Sequence, residues 1–174
     1  APRHIHIIGS HPIAGAEKSG VAYSDAGLFE SAVCVVSKTA KTDRNALKKI
    51  SAMWKGVGCK VVYMNTEKHD RILANASHLP HIAAASLVNA ALKGISGKEL
   101  SALAGQGFRD TTRIAEGNPE IWADIFLSNK KNMVKALNAV IAELVHAKTA
   151  IASKNRKKLL KLLQTAAKTR SRLG

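Results

Sequence analysis

The 174-residue sequence predicts an α/β segment over residues 1–65, the end of a larger parallel sheet, followed by an all-helical domain over residues 66–174. Two observations lead to this division. Short β-branched runs, which favour strands, lie before residue 65. After it, apolar residues recur at the three- and four-residue spacing of helices. The length allows one sizeable core or two small ones.

Three runs are predicted as strands, at residues 4–8, 32–36 and 59–64. Between the second and third, residues 43–54 carry apolar side chains at helical spacing. The order strand, helix, strand predicts a parallel βαβ unit. Parallel strands need neighbours on both sides, so we expect a further part of the sheet upstream of residue 1.

The helical domain is predicted to begin with a long helix from Thr66, as N-cap, to residue 92, and Pro80 is expected to bend it. Asn118 and Pro119 form a typical helix start. Further helices are predicted at residues 98–104, 108–116, 119–128 and from 132 onward.

The charge of +15 is concentrated near the C-terminus. From Ser128 onward, the sequence contains twelve basic residues and a single acidic residue, Glu143. Such a segment suggests polyanion or nucleic-acid binding as one alternative function. No aromatic residue follows Phe126 to stack on bases, and no recognition-helix motif is present, so nucleic acid is not the expected partner.

Membrane insertion is not predicted. No apolar run approaches the roughly 20 residues of a spanning helix, and no signal-peptide pattern is seen. Cys34 and Cys59 lie in apolar stretches, as buried reduced thiols do. The expected location is the cytoplasm.

A first candidate site begins at His11, in the HPIAGAEKSG block directly after the first predicted strand. Ligands of open α/β sheets bind beyond the carboxyl ends of strands, where a histidine can act as a base. The alternative is a loop histidine in a turn constrained by Pro12.

A second candidate site combines the HD pair at residues 69–70 with the SHLPH block at 77–81. Helical spacing places Asp70, Ser77 and His81 on one face, with His78 about a turn from His81. The two histidines lack a third ligand, so no metal is expected. Helix capping and buried histidines are the alternative interpretation.

A third candidate site lies in the GFRDTTRIA block at 107–115. Arg109 and Arg113 are four residues apart and share a helix face, and Asp110 can pair with Arg113. Solvent-exposed ion pairs explain this spacing as well as a carboxylate-binding site does. A planar guanidinium can hold a carboxylate through two hydrogen bonds.

In this order, and with the PEIWADI block at 119–125, these motifs resemble the prephenate and arogenate (cyclohexadienyl) dehydrogenases of tyrosine biosynthesis. The resemblance implies that the α/β segment is the end of a Rossmann-type domain, and that His11 accepts the proton of the substrate's ring hydroxyl while hydride leaves for a nicotinamide. Loss of the ring carboxylate as carbon dioxide then yields the aromatic product. A neutral imidazole suits this proton transfer.

The resemblance also implies that Arg113 holds a substrate carboxylate, that His78 and His81 line the pocket, and that Glu17 and Asp110 pair to position Arg113. Cationic groups are required because the substrate is a dianion.

The resemblance further implies that the helical domain forms a homodimer, in which Arg109 and Trp122 reach the neighbouring subunit's site. Apolar stripes at residues 82–92 and 137–151 support this, since one short bundle cannot bury them. A non-catalytic dimeric helical module is the alternative.

The implied cofactor is NAD or NADP, yet no G-x-G-x-x-G follows a predicted strand, so the cofactor-binding residues are unknown. The glycine pair at 56/58 lacks the third glycine, and the pair at 105/107 lies among predicted helices. Ala16 stands where the family usually has Thr. We expect this chain alone to be inactive until an N-terminal nucleotide-binding segment is supplied.

Overall fold

The computed structural model describes residues 5–15 and 20–173. These residues form a small sheet followed by helices, which confirms the predicted fold class. The elements, in chain order, are β1 (Ser10–Ile13), a 3-10 turn (Val21–Tyr23), β2 (Val33–Ser37), α1 (Arg44–Gly56), β3 (Lys60–Met64), α2 (Thr66–Leu73), a π-helical turn (Ala74–His78), α3 (Leu79–Ala91), α4 (Gly97–Leu103), α5 (Gln106–Thr112), a second 3-10 turn (Arg113–Glu116), α6 (Pro119–Ser128), α7 (Lys130–Ala152) and α8 (Arg156–Arg170).

The βαβ unit is confirmed. Strands β2 and β3 are parallel, in a register that runs from Val33 opposite Lys60 to Ser37 opposite Met64. Helix α1 connects them and is N-capped by Asp43, whose carboxylate accepts a hydrogen bond from the Ala46 amide. The cap satisfies an amide that has no partner inside the helix.

The core of this α/β part lies between the sheet and α1. Cys34, Val36 and Cys59 are buried together there. The partly buried side chains that pack on them are those of Ile8, Phe29, Ala32, Leu47, Ile50, Trp54 and Val61. Both cysteines are free thiols, and burial raises the pKa of Cys34.

The prediction for the first strand is wrong in position and direction. Residues 5–8 form no strand; β1 begins at Ser10 and pairs antiparallel with β2, with His11 opposite Val35. His11 therefore lies within a strand and not in a loop after it. β1 is the edge strand of the described sheet, where Pro12 is tolerated because its missing amide costs no hydrogen bond to a neighbour.

The long helix predicted from residue 66 to 92 is divided into α2, the π-helical turn and α3. Pro80, near the start of α3, has no amide to donate, and its ring crowds the carbonyl of residue 76. The turn Ala74–His78 widens the helix at this point. The N-cap of α2 is Asn65, which accepts from the Lys68 amide, and not Thr66 as predicted.

The later helices begin close to their predicted positions. Ser96 and Glu99 form a capping box at α4, and Asn118 caps α6. The predicted helix over 108–116 is α5 followed by a 3-10 turn, and α7 begins at Lys130. Among the described residues, no helix is long and apolar enough to cross a membrane.

Candidate active site

His11 on β1 contacts His69 on α2. The two rings meet edge to face, and His11 Nδ1 lies 2.9 Å from His69 Nε2. Burial, with a smaller contribution from His69, lowers the pKa of His11 below its usual value of 6.5. His11 is therefore a neutral imidazole at pH 7.

Asp70 holds the other side of His69. The Oδ1 atom of Asp70 lies 2.8 Å from His69 Nδ1, so both ring nitrogens of His69 have partners. Helix α2 places the two residues in this position because it starts directly after β3, at the carboxyl end of that strand.

His78, in the π-helical turn, belongs to the same cluster through Asn129. The amide nitrogen of buried Asn129 donates to the Asp70 carbonyl at 2.7 Å and lies 3.4 Å from His78 Nδ1. Burial is the main cause that lowers the pKa of His78. Asp70 raises this pKa, whereas His11 and His69 lower it further.

Asn129 is a functional candidate that the sequence analysis missed. It lies between α6 and α7, where an asparagine is ordinarily interpreted as a helix cap, and both partners of its side-chain nitrogen are more than fifty residues away. Because an amide nitrogen only donates, Asn129 makes His78 Nδ1 an acceptor and leaves its proton on Nε2.

His81 and Trp122 form a second group. Their rings stack at 3.6 Å with 15° between the planes, and Phe126 packs beside Trp122. Gly117 is required beside them: a Cβ there would lie 2.6 Å from Trp122 Nε1 and 2.8 Å from His81 Cε1. His81 is buried, which lowers its pKa. Trp122 thus contacts His81 of its own chain, and its contribution to a neighbouring site stays a prediction.

Arg109 and Arg113 line a separate cleft of about 610 Å³, formed by α3, α4, α5 and the turn Arg113–Glu116. The Arg109 guanidinium donates to the carbonyls of Ala104 and Ser101 at 3.3 and 3.4 Å. Asp110 accepts from the Gln106 side chain at 2.6 Å. Glu17, predicted to pair with Asp110, lies outside the described residues.

Apart from the stacked pair of His81 and Trp122, the structure brings the candidate residues together in two places. The first is the polar cluster of His11, His69, Asp70, His78 and Asn129. The second is the arginine cleft, whose lining does not include His11. The turn Arg113–Glu116 packs on α3 and leads directly to Gly117, which contacts the His81–Trp122 stack.

Neither a metal site nor a complete cofactor site is found in residues 5–15 and 20–173. This part of the chain contains no group of three or more His, Cys, Asp or Glu side chains that could hold a metal ion. Gly58, with φ of +92°, precedes β3 and lies against the Glu30 backbone. It is thus at the amino end of the strand, whereas dinucleotides bind beyond the carboxyl ends. The described residues do not form the loop that would cradle a pyrophosphate.

Both parts of the chain match models of known protein domains. Residues 65–165 match the model of the prephenate dehydrogenase dimerization domain, and residues 1–63 match that of the prephenate dehydrogenase nucleotide-binding domain. Prephenate dehydrogenase from Bacillus subtilis is 36% identical over 166 residues, which are 95% of this chain and 45% of that protein. The chain spans about half the length of the curated relatives it matches.

Solved structures agree in fold. The structure of prephenate dehydrogenase from Aquifex aeolicus in complex with hydroxyphenyl propionate and NAD+ is 39% identical, with a TM-score of 0.87 over 96% of this chain and 59% of that one. Arogenate dehydrogenase from Synechocystis is 30% identical, with a TM-score of 0.83 over 97% and 62%. With both domain models matched, the chain belongs to the prephenate dehydrogenase family.

Proposed function

We propose that this chain forms the proton-accepting and substrate-binding part of an enzyme that oxidatively decarboxylates prephenate or arogenate in tyrosine biosynthesis. Relatives named for each substrate support the pair of candidates. One solved relative holds NAD+, which supports NAD as the hydride acceptor, with NADP as the alternative. No described residue is assigned to holding that cofactor.

The observation that carries the proposal is the environment of His11. His69 contacts its Nδ1, burial lowers its pKa and so favours the neutral imidazole, and the residue as a whole is exposed to solvent. A neutral imidazole whose second nitrogen has no hydrogen bond to a described residue is suited to accept the proton of a ring hydroxyl as hydride leaves the same carbon. Loss of carbon dioxide then aromatises the ring.

Substrate anchoring is proposed for the helical part. Arg113 and Arg109 line the same cleft, whose other walls include apolar side chains such as Val88 and Leu92. Guanidinium groups in such surroundings bind carboxylates through charge-assisted hydrogen bonds. His78, His81 and Trp122 would form the wall between this cleft and His11.

A second copy of this chain is the proposed partner. In the helical part, large apolar side chains are exposed on α6, α7 and α8, and side chains of this kind drive subunit association. They are Ile121, Leu127, Val134, Ile141, Leu144, Val145, Ile151, Leu160 and Leu163. The matched dimerization-domain model supports the same partner.

The test is His11→Asn in the full-length gene product, assayed with prephenate and arogenate, each with NAD and NADP. We expect kcat to fall by about a hundredfold or more with KM nearly unchanged, because a base acts in the transition state. His146→Asn, on an exposed stretch of α7, is the control. A change mainly in KM, or no turnover of any substrate by the unmodified protein, would contradict the proposal.

A further inference from the structure

The side chains of His11, His69 and Asp70 form a continuous line of hydrogen bonds from the sheet to α2. The distances are 2.9 Å between the two imidazoles and 2.8 Å from His69 to the carboxylate. The Asp70 side chain is 48% exposed, and that of His69 only 20%. The line thus starts at a solvated carboxylate and passes through a largely buried ring to His11.

When both imidazoles are neutral, the chemistry of the three groups fixes the direction of every hydrogen bond in this line. A carboxylate only accepts, so His69 Nδ1 carries the proton that it donates to Asp70. In a neutral imidazole the other nitrogen then accepts, so His69 Nε2 receives a hydrogen bond from His11 Nδ1. The proton of His11 is thereby held on Nδ1, and Nε2 is left with its lone pair.

We propose that His69 and Asp70 are positioning residues that hold His11 in the tautomer whose Nε2 can accept the substrate's proton. The chemical meaning of this inference rests on the proposed function. Without the carboxylate, His69 can turn its proton toward His11, and His11 must then carry its own proton on Nε2. In that tautomer Nε2 already carries a proton and Nδ1 accepts the hydrogen bond from His69, so neither nitrogen can accept a proton from substrate.

The same line stabilises His11 after it has accepted the proton. The imidazolium donates through Nδ1 to His69 Nε2, and His69 Nδ1 donates in turn to the Asp70 carboxylate. The ionisable groups that act on this cluster are His69 and Asp70 from α2 and His78 from the π-helical turn. Asp70 supplies the negative charge at the end of this line, so we expect its removal to shift the pKa of His11 further downward.

The tautomer can be observed in this chain without cofactor or substrate. Two-bond 1H–15N correlations of the labelled chain at pH 7.5 report which nitrogen of each histidine carries the proton. We expect Nδ1–H for His11 and His69 in the unmodified chain, and a several-fold larger Nε2–H fraction for His11 in Asp70→Asn. Asp70→Glu is expected to restore the original tautomer.

Glu143→Gln is the matched control. Glu143 lies 3.9 Å from His146 on the surface of α7, so it is also a carboxylate beside a histidine, but no hydrogen bond among the described residues links that pair to His11. The His11 tautomer should be unchanged in this variant. An Nε2–H tautomer of His11 in the unmodified chain, or the same tautomer in Asp70→Asn, overturns the proposal.

Kinetics of the full-length gene product supply the second measurement. In Asp70→Asn and His69→Phe we expect kcat to fall by about tenfold or more, KM to stay within about twofold, and the acidic limb of the kcat profile to move to lower pH. A purely structural role would lower activity without moving that limb. If the unmodified protein turns over no substrate, the proposed function fails, while the tautomer measurement still decides whether Asp70 controls His11.

Discussion

In the α/β part, Cys34, Val36 and Cys59 are buried together, and Phe29 and Trp54 close the core around them. The helical part is built differently. Its buried apolar residues, in the described chain, are Ala74, Ala84, Met133, Ala136 and Ala150, whereas most of its leucines and isoleucines are half-buried or exposed.

The difference shows what each part needs in order to be stable. Alanines bury little area, and burial contributes about 25 cal/mol for each Å² of apolar surface removed from water. The α/β part obtains some of this contribution in the core around Cys34 and Val36, although large apolar side chains such as Ile7 and Val21 are exposed there as well. The helical part buries mainly alanines, and its exposed leucines, isoleucines and valines can contact a second surface, which is consistent with the role that the matched dimerization-domain model gives to this region.

The largest expected effect is on association. Val145 in α7 and Val57 after α1 are the same residue type with the same exposure of 47%, one in each part. Val145→Glu should convert a dimer of twice the 18.5 kDa chain mass into monomer, because a charge would be buried in the interface. Val57→Glu should leave the dimer intact.

Light scattering at micromolar concentration measures both variants. Since Val134, Ile141 and Val145 share one face of α7, Ile141→Glu should behave like Val145→Glu. A monomeric unmodified chain, or an equal effect of Val145→Glu and Val57→Glu, would remove the proposed contrast between the two parts.

The next largest expected effect is on substrate affinity, which we assign to the helical part, whereas proton transfer is assigned to His11 in the α/β part. Arg113→Ala in the full-length gene product should act on affinity, because losing a desolvated charge-assisted contact costs roughly 2–5 kcal/mol, or about thirty-fold to several thousand-fold in KM. Arg113→Lys should recover only part of this, since an ammonium cannot make the two parallel hydrogen bonds.

Arg156→Ala, at the start of α8 and outside the cleft lining, is the control for Arg113. Steady-state kinetics with the dianionic substrate give KM and kcat for each variant. An unchanged KM in Arg113→Ala would move the anchoring role to Arg109.

The smallest effect is on stability at low pH. The folded state lowers the pKa of His81 from 6.5 through burial, so the unfolded chain binds its proton first as the pH falls. Stability is therefore full above about pH 6.5 and decreases as the pH falls toward the lowered pKa. His11 and His78 act in the same direction.

Denaturant unfolding at pH 7.5 and 5.5 checks this. His81→Gln should lower the free energy of unfolding at both pH values, because the ring stacked on Trp122 is removed. The decrease in that free energy from pH 7.5 to pH 5.5 should, however, be smaller in His81→Gln than in the unmodified chain. The buried Cys34 thiol of the α/β core has a raised pKa, so it stays neutral across this range and adds no acid sensitivity there. An identical pH dependence with and without His81 would contradict the prediction.

Local chemistry made much of the fold predictable. Asp43, Ser96 with Glu99, and Asn118 each cap a helix within a residue or two of the predicted start, because capping depends only on neighbouring amides. The βαβ unit followed from the order of its elements. The family motifs identified His11, His78 and Arg113 as candidates, and their proposed roles stay predictions.

Only the tertiary structure decided the rest. The antiparallel pairing of β1 follows from its contact with Val33–Val36 across the sheet, and no local pattern encodes a partner strand. The His11–His69 and Asn129–Asp70 hydrogen bonds join residues 58 and 59 positions apart. Sequence alone determined which groups could donate or accept. Their pairing required α2 to lie beside β1 and the start of α7 to lie beside α2, because hydrogen bonds reach only about 3 Å.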